Sequence, residues 1–132
     1  MPCSVLVVDD DPDNRDVLAE YLTFCGFDVV SACCGTEALS IARKIRPKVV
    51  LMDLAMPGLD GYETTRRMKA DPLTNNAVVC AVTALALPAD QQSALDAGCD
   101  AVFIKPIDVG LLVAEIERLA SGSILVPRDN RL

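Results

Sequence analysis

The chain has no histidine. That absence removes histidine general bases, serine–histidine triads and most zinc chemistry. Positive charge is also scarce: 12 Lys and Arg stand against 19 Asp and Glu, a net charge of −7 over 132 residues. Phosphate backbones need a basic surface, so direct binding of nucleic acid is not expected. No apolar run approaches the length of a membrane span. Met1-Pro2-Cys3-Ser4 lacks the basic region and apolar stretch of a signal peptide, so the expected compartment is the cytoplasm. Cys3, Cys25, Cys33, Cys34, Cys80 and Cys99 form no C-x-x-C pair. They are expected to be reduced, small core residues rather than zinc ligands or disulfides. No G-x-G-x-x-G follows the first strand, which argues against a dinucleotide site.

What is present points to one ordered domain. Apolar residues make up 52% of the chain, too many for disorder. Val5-Leu6-Val7-Val8, Val49-Val50-Leu51-Met52, Ala77 to Val82 and Ala101-Val102-Phe103-Ile104 are short, partly β-branched runs that read as buried strands. Phe27 to Ala32 reads as a less buried edge strand. Helical patterns separate them. Asp11-Pro12 starts the first, with Val17, Leu18, Tyr21, Leu22 and Cys25 at helical spacing. Gly35-Thr36 opens the second, with Ala38, Ile41, Ala42 and Ile45 facing inward. Tyr62 to Ala70 forms the third, Pro88 to Gly98 the fourth, and the fifth follows a cap at Asp108. Five βα units in succession predict an α/β fold: a five-stranded parallel sheet in flavodoxin-like order 2-1-3-4-5, with helices on both faces. Residues 1–120 form the expected domain, and 121–132 a tail or linker remnant.

The residues following each strand carry the chemistry. Asp9 and Asp10 follow the first strand, Asp53 the third, Thr83 the fourth and Lys105 the fifth. In a parallel sheet these ends share one edge, where ligands bind. Three carboxylates there repel each other, and without a counter-charge one should hold a proton near neutral pH. A hard divalent cation resolves the conflict, and Mg²⁺ suits carboxylate oxygens while leaving positions for phosphate. With an ammonium and a hydroxyl beside it, the set becomes a phosphoryl receptor, and Asp53 is placed to act as nucleophile. Asp11 reads as a helix cap, Asp13 and Asp16 as solvated helix charges, and Asp60 as a turn residue before Gly61.

With those residues in place, the sequence resembles the response-regulator receiver domain of two-component signalling. The resemblance spans about residues 3–120. It rests on Val7-Val8-Asp9-Asp10, the run from Met52 to Gly61, Val82-Thr83-Ala84 and Lys105-Pro106. It implies that Asp53 is the phosphoacceptor. It further implies that Asp10, Asp53 and the Ala55 carbonyl ligate Mg²⁺, with Asp9 holding a metal-bound water. Thr83 would bond a phosphoryl oxygen, and Lys105 would pair with the acyl phosphate before a cis Lys105–Pro106 bond. The implied partner is a phosphohistidine on a sensor kinase or phosphotransfer protein. The implied role is a phosphorelay switch read by a downstream partner, catalysing only its own transfer and slow self-dephosphorylation.

Two departures sharpen the expectation. The family usually has Tyr or Phe three positions before the lysine; here Val102 stands there and the aromatic is Phe103. Strand alternation should point Phe103 to the opposite face. The positions that tune hydrolysis fall on Ala55 and Leu85, whose apolar side chains cannot orient an attacking water. An aspartyl-phosphate hydrolase of the haloacid dehalogenase kind is the alternative, but Asp9-Asp10-Asp11-Pro12-Asp13 lacks its D-x-D-x-T pattern. A pseudo-receiver binding module is the other alternative.

Overall fold

The computed structural model describes residues 3–56, 58, 60–84 and 87–121. Strands and helices alternate in chain order. They are β1 (Ser4–Val8), α1 (Pro12–Phe24), β2 (Asp28–Ala32), α2 (Gly35–Ile45), β3 (Val49–Asp53), α3 (Gly61–Ala70), β4 (Val78–Thr83), α4 (Pro88–Ala97), β5 (Ala101–Ile104) and α5 (Val109–Ala120). The strands form one parallel sheet in the order β2-β1-β3-β4-β5, as the sequence predicts.

Period-two alternation splits the apolar strand residues between two cores. Leu6, Val8, Val50, Met52, Val79 and Ala81 face a core completed by Ala38 and Ala42 of α2, Met68 of α3 and Ala94 of α4. Val5, Val7, Val49, Leu51, Cys80 and Val82 face the other, completed by Leu22 of α1 and Leu112 and Ile116 of α5. Burying each large aliphatic side chain stabilises the fold by about 1.5–3 kcal/mol, so the central strands carry much of the stability. Val102 packs in the first core and Phe103 in the second, so the aromatic does lie on the opposite face.

Helix ends follow local chemistry. The Asp11 carboxylate accepts from the Asp13 N–H, Pro12 opens α1, and the Asp108 carboxylate caps α5 through the Leu111 N–H. Asp60 is more than the turn residue expected: it is the N-cap of α3, accepting from the Glu63 N–H at 2.8 Å.

Three further expectations need correction. Ile45, expected on the inner face of α2, is exposed in its last turn. Of the α1 residues at helical spacing, Leu22 is buried and Leu18 packs beside it, whereas Val17, Tyr21 and Cys25 are exposed. Each helical step turns the chain by about 100°, and α1 presents only a narrow stripe to the sheet. All six cysteines are free, as expected, but only Cys80 and Cys99 are buried. Cys25 caps the end of α1 and Cys33 lies between β2 and α2, where chain ends meet solvent. The 122–132 part of the tail lies outside the described residues, as do Leu85 and Pro57.

Candidate functional site

β1 and β3 are neighbours in the sheet, yet the chain leaves them in opposite senses. From β1 it crosses outward to β2, and from β3 it crosses to β4 on the other side. The split opens a crevice at their carboxyl ends, the usual ligand position in this architecture. Val8 pairs with Met52, so Asp9 and Asp53 leave the sheet side by side. Asp9 and Asp53 are 7% and 8% exposed, while Asp10 is exposed. Oxygens of Asp9, Asp10 and Asp53 lie within 4.8 Å of one another. Hard anionic oxygens at that spacing fit a divalent cation such as Mg²⁺.

Asp53 and Asp9 are each held from their own loop. The Ala55 N–H donates to Asp53 Oδ1 at 3.1 Å, and the Asp11 N–H to Asp9 Oδ1 at 2.9 Å. Lys105 follows β5, its bond to Pro106 is cis, and its Nζ lies 3.8 Å from Asp9 Oδ2. The Lys105 N–H donates to the Thr83 carbonyl at 2.8 Å, which ties the end of β5 to the end of β4. Thr83 itself is buried, one residue beyond the Asp53–Val82 rung. The structure thus gathers Asp9, Asp10, Asp53 and Lys105, and places Thr83 and Ala55 on the same edge.

Electrostatics follow from that crowding. Burial pushes the Asp53 carboxyl up to about 6 from an ordinary 3.8. The Ala55 N–H and the Lys105 ammonium pull it down, and the neighbouring Asp9 carboxylate pushes it up again. Burial is thus the main cause of the shift; the Asp9 carboxylate adds to it and the Lys105 ammonium opposes it.

Two contributors escape a reading by motif. Arg15, in α1, donates from Nη1 to the Asp9 carbonyl at 3.0 Å and so steadies the loop that carries Asp9 and Asp10. A cation one turn into a helix that begins among three acids was the available signal. Gly61 opens α3 directly against the chain at Asp53: a Cβ there would sit 2.4 Å from the Asp53 carbonyl oxygen and 2.6 Å from Leu54 Cα. Its signal was a glycine at the start of a helix, just after a capping Asp, rather than beyond the helix end.

Fold and crevice together define an α/β protein with a carboxylate cluster at its topological switch point that could hold a cation. Comparison with known proteins narrows that class. The sequence profile described as Response regulator receiver domain matches residues 5–117. The polar-differentiation response regulator DivK of Brucella anthropi is 34% identical over 117 residues, covering 89% of this chain and 95% of DivK. The response regulator PleD of Caulobacter vibrioides is 34% identical over 126 residues, covering 96% of this chain but only 28% of PleD. Among solved structures, the chemotaxis protein CheY4 of Vibrio cholerae superposes with a TM-score of 0.85 at 26% identity, covering 90% of this chain and 99% of that one. The receiver domain of the sensor histidine kinase PA1611 of Pseudomonas aeruginosa, solved with magnesium coordinated in its active-site cleft, gives 0.85 at 32% identity, covering 93% and 100%. The chain belongs to the response-regulator receiver domain family.

Proposed function

We propose that this receiver is a phosphoacceptor switch, with Asp53 taking a phosphoryl group from a phosphohistidine on a sensor kinase or phosphotransfer protein. The convergence of Asp9, Asp10 and Asp53 at one switch point carries the reading. Asp9, Asp10, Asp53 and the Ala55 carbonyl would hold Mg²⁺, the ion that the PA1611 receiver carries in its cleft. When bound, Mg²⁺ neutralises charge shared between the carboxylates and the phosphoryl oxygens.

The chain's own groups do the rest. Asp53 presents an ionised oxygen in line with the incoming phosphorus. The oxygen–phosphorus bond forms as the nitrogen–phosphorus bond breaks, and the ring-protonated imidazole departs neutral. The Ala55 N–H fixes Asp53 through its other oxygen, so one carboxylate oxygen is oriented before the donor arrives. Lys105 supplies a cation to the phosphoryl oxygens, and Thr83 a hydroxyl at the neighbouring strand end. The chain turns over no separate substrate. A hydrolase of the haloacid dehalogenase kind would carry its nucleophile after the first strand, and membership of the receiver family speaks against it.

Phosphorylation would bias a two-state equilibrium that a partner reads. Val102 in the α2–α3–α4 core supports a read-out without the usual inward-swinging aromatic. Residues 1–120 would form the switch and 121–132 a tail. Among the described residues no helix is long and apolar enough to cross a membrane, which agrees with work in the cytoplasm.

Incubation with Mg²⁺ and acetyl phosphate tests the proposal. Labelling should appear in the wild type and fall by on the order of 100-fold or more in Asp53→Asn or on chelation. Labelling that survives both changes would end it. The exposed Ala55 side chain offers no group to orient water, so the phosphorylated form should decay over minutes or longer. Ala55→Asn should shorten that lifetime; decay of the wild type within seconds would contradict the expectation.

A further inference from the structure

At the edge of the sheet opposite the acid pocket, the connection from α2 to β3 is a local cluster of cations. Four of the 12 basic residues fall within six positions, at Arg43, Lys44, Arg46 and Lys48. Two of them have an ordinary explanation. Arg43 and Lys44 lie in the last turn of α2, where cations complement the helix dipole, and Arg43 also pairs with Asp71 at 3.1 Å.

Arg46 and Lys48 are different. Arg46 caps α2 in the left-handed region at φ 46°, a conformation that glycine takes freely and a residue with a Cβ does not. The ends of α1 and α4 use Gly26 (φ 99°) and Gly98 (φ 113°) for the same purpose. Among the described residues Arg46 is the one non-glycine at positive φ. Strain of this kind at an exposed cation is a reason to look for a ligand.

The backbone around the pair is pinned. The Arg46 N–H donates to the Ala42 carbonyl at 2.8 Å, and Pro47 is buried. The Lys48 N–H bonds Ser4 of β1 through its carbonyl and hydroxyl, and the Lys48 carbonyl accepts from the Val78 N–H of β4 at 2.9 Å. Both side chains are exposed, and neither forms an ion pair among the described residues. They line a cavity of about 540 Å³ whose apolar wall includes Pro72, Leu73 and Leu119. An adjoining cavity of about 510 Å³ shares Lys48 and contains Glu117, so the opposing charge is to one side.

We propose that this groove docks an acidic peptide segment of a partner protein, with one apolar side chain in the cavity and flanking carboxylates on Arg46 and Lys48. The charge sign and the apolar wall are matched together only by such a segment. The chain's own residues 122–132 follow Ser121, which lines the cavity, but they hold one acid, Asp129, against Arg128 and Arg131, and so offer no acidic run. Nucleic acid and anionic lipid call for a broad basic surface, which two cations beside one groove on an acidic chain do not offer.

Amide NMR on the full chain tests this, with a capped Glu-Asp-Leu-Glu-Asp peptide as the probe and Gln-Asn-Leu-Gln-Asn as its neutral control. The acidic peptide should shift the amides of Arg46, Lys48, Leu73 and Val78 in a saturable way and leave Asp9 and Asp53 unmoved. Arg46→Gly with Lys48→Gln should weaken binding at least about tenfold. Arg46→Gly alone relieves the left-handed strain and should raise Tm by a few degrees, so lost binding is separable from lost fold. Equal binding of the neutral peptide, equal binding by the double variant, or shifts centred on the acid pocket would each overturn the proposal. So would duplex DNA or phosphatidylserine vesicles shifting these amides where the peptide does not.

Discussion

The two edges of the sheet are built from the same strands and solve opposite problems. At the carboxyl edge, Asp9, Asp10 and Asp53 crowd together, and burial, with Asp9 beside it, pushes the Asp53 carboxyl up to about 6. At the amino edge, Lys48 bonds both neighbouring strands through its backbone and holds its cation out to solvent. The carboxyl edge keeps a buried acid whose charge is disfavoured, and the amino edge ties β3 to both its neighbours through the Lys48 backbone. The difference is one of charge rather than of hydrogen bonding: among the described residues no buried side-chain nitrogen or oxygen lacks a hydrogen-bond partner.

Gly61→Ala should break the comparison most severely. The new Cβ would meet the backbone of Asp53 and Leu54 at under 3 Å, and backbone cannot swing aside as a side chain can. The cost should be about 2–3 kcal/mol in denaturant melts, with labelling of Asp53 reduced as well because the acid moves with its strand end. Unchanged stability would mean that α3 is free to drift off β3.

Asp53→Asn should come next, and with a pH signature. The folded-state carboxyl sits near 6 against an ordinary 3.8, so ionising it opposes folding. That penalty is absent below about pH 3.8, grows between 3.8 and 6, and is complete above 6. Without Mg²⁺ the variant should therefore be more stable than wild type by about 1–2 kcal/mol at neutral pH, with the gain fading on acidification. A gain that persisted at low pH would point to packing rather than charge.

Arg46→Gly acts at the other edge and should stabilise by about 0.5–1 kcal/mol while leaving the labelling rate of Asp53 alone. A change in labelling would show that the two edges are coupled.

Much of this difference could be read from sequence, for a physical reason. Buried parallel strands are short apolar runs, so their ends are marked by the first polar residue. Asp9, Asp53, Thr83 and Lys105 each follow such a run. One topology rule then brings them to one edge. Contacts that depend on how elements pack were not legible. Nothing in the spacing of Val17, Tyr21 and Cys25 said that α1 would bury only a narrow stripe. Gly61 and Arg15 matter through distances to Asp53 and Asp9 that only the folded chain defines. Arg46 carries no sequence mark of its left-handed backbone, since that position ordinarily favours glycine.

Asp53 sits in a buried crevice that disfavours its charge, and a cation held there would relieve that penalty. Following the Asp53 side-chain carboxyl carbon by NMR during a pH titration, without and with saturating Mg²⁺, measures this directly. The expected result is a midpoint near 6 in the metal-free protein and a midpoint below the ordinary carboxylate range once Mg²⁺ is present. A midpoint near the ordinary value that Mg²⁺ does not move would contradict it.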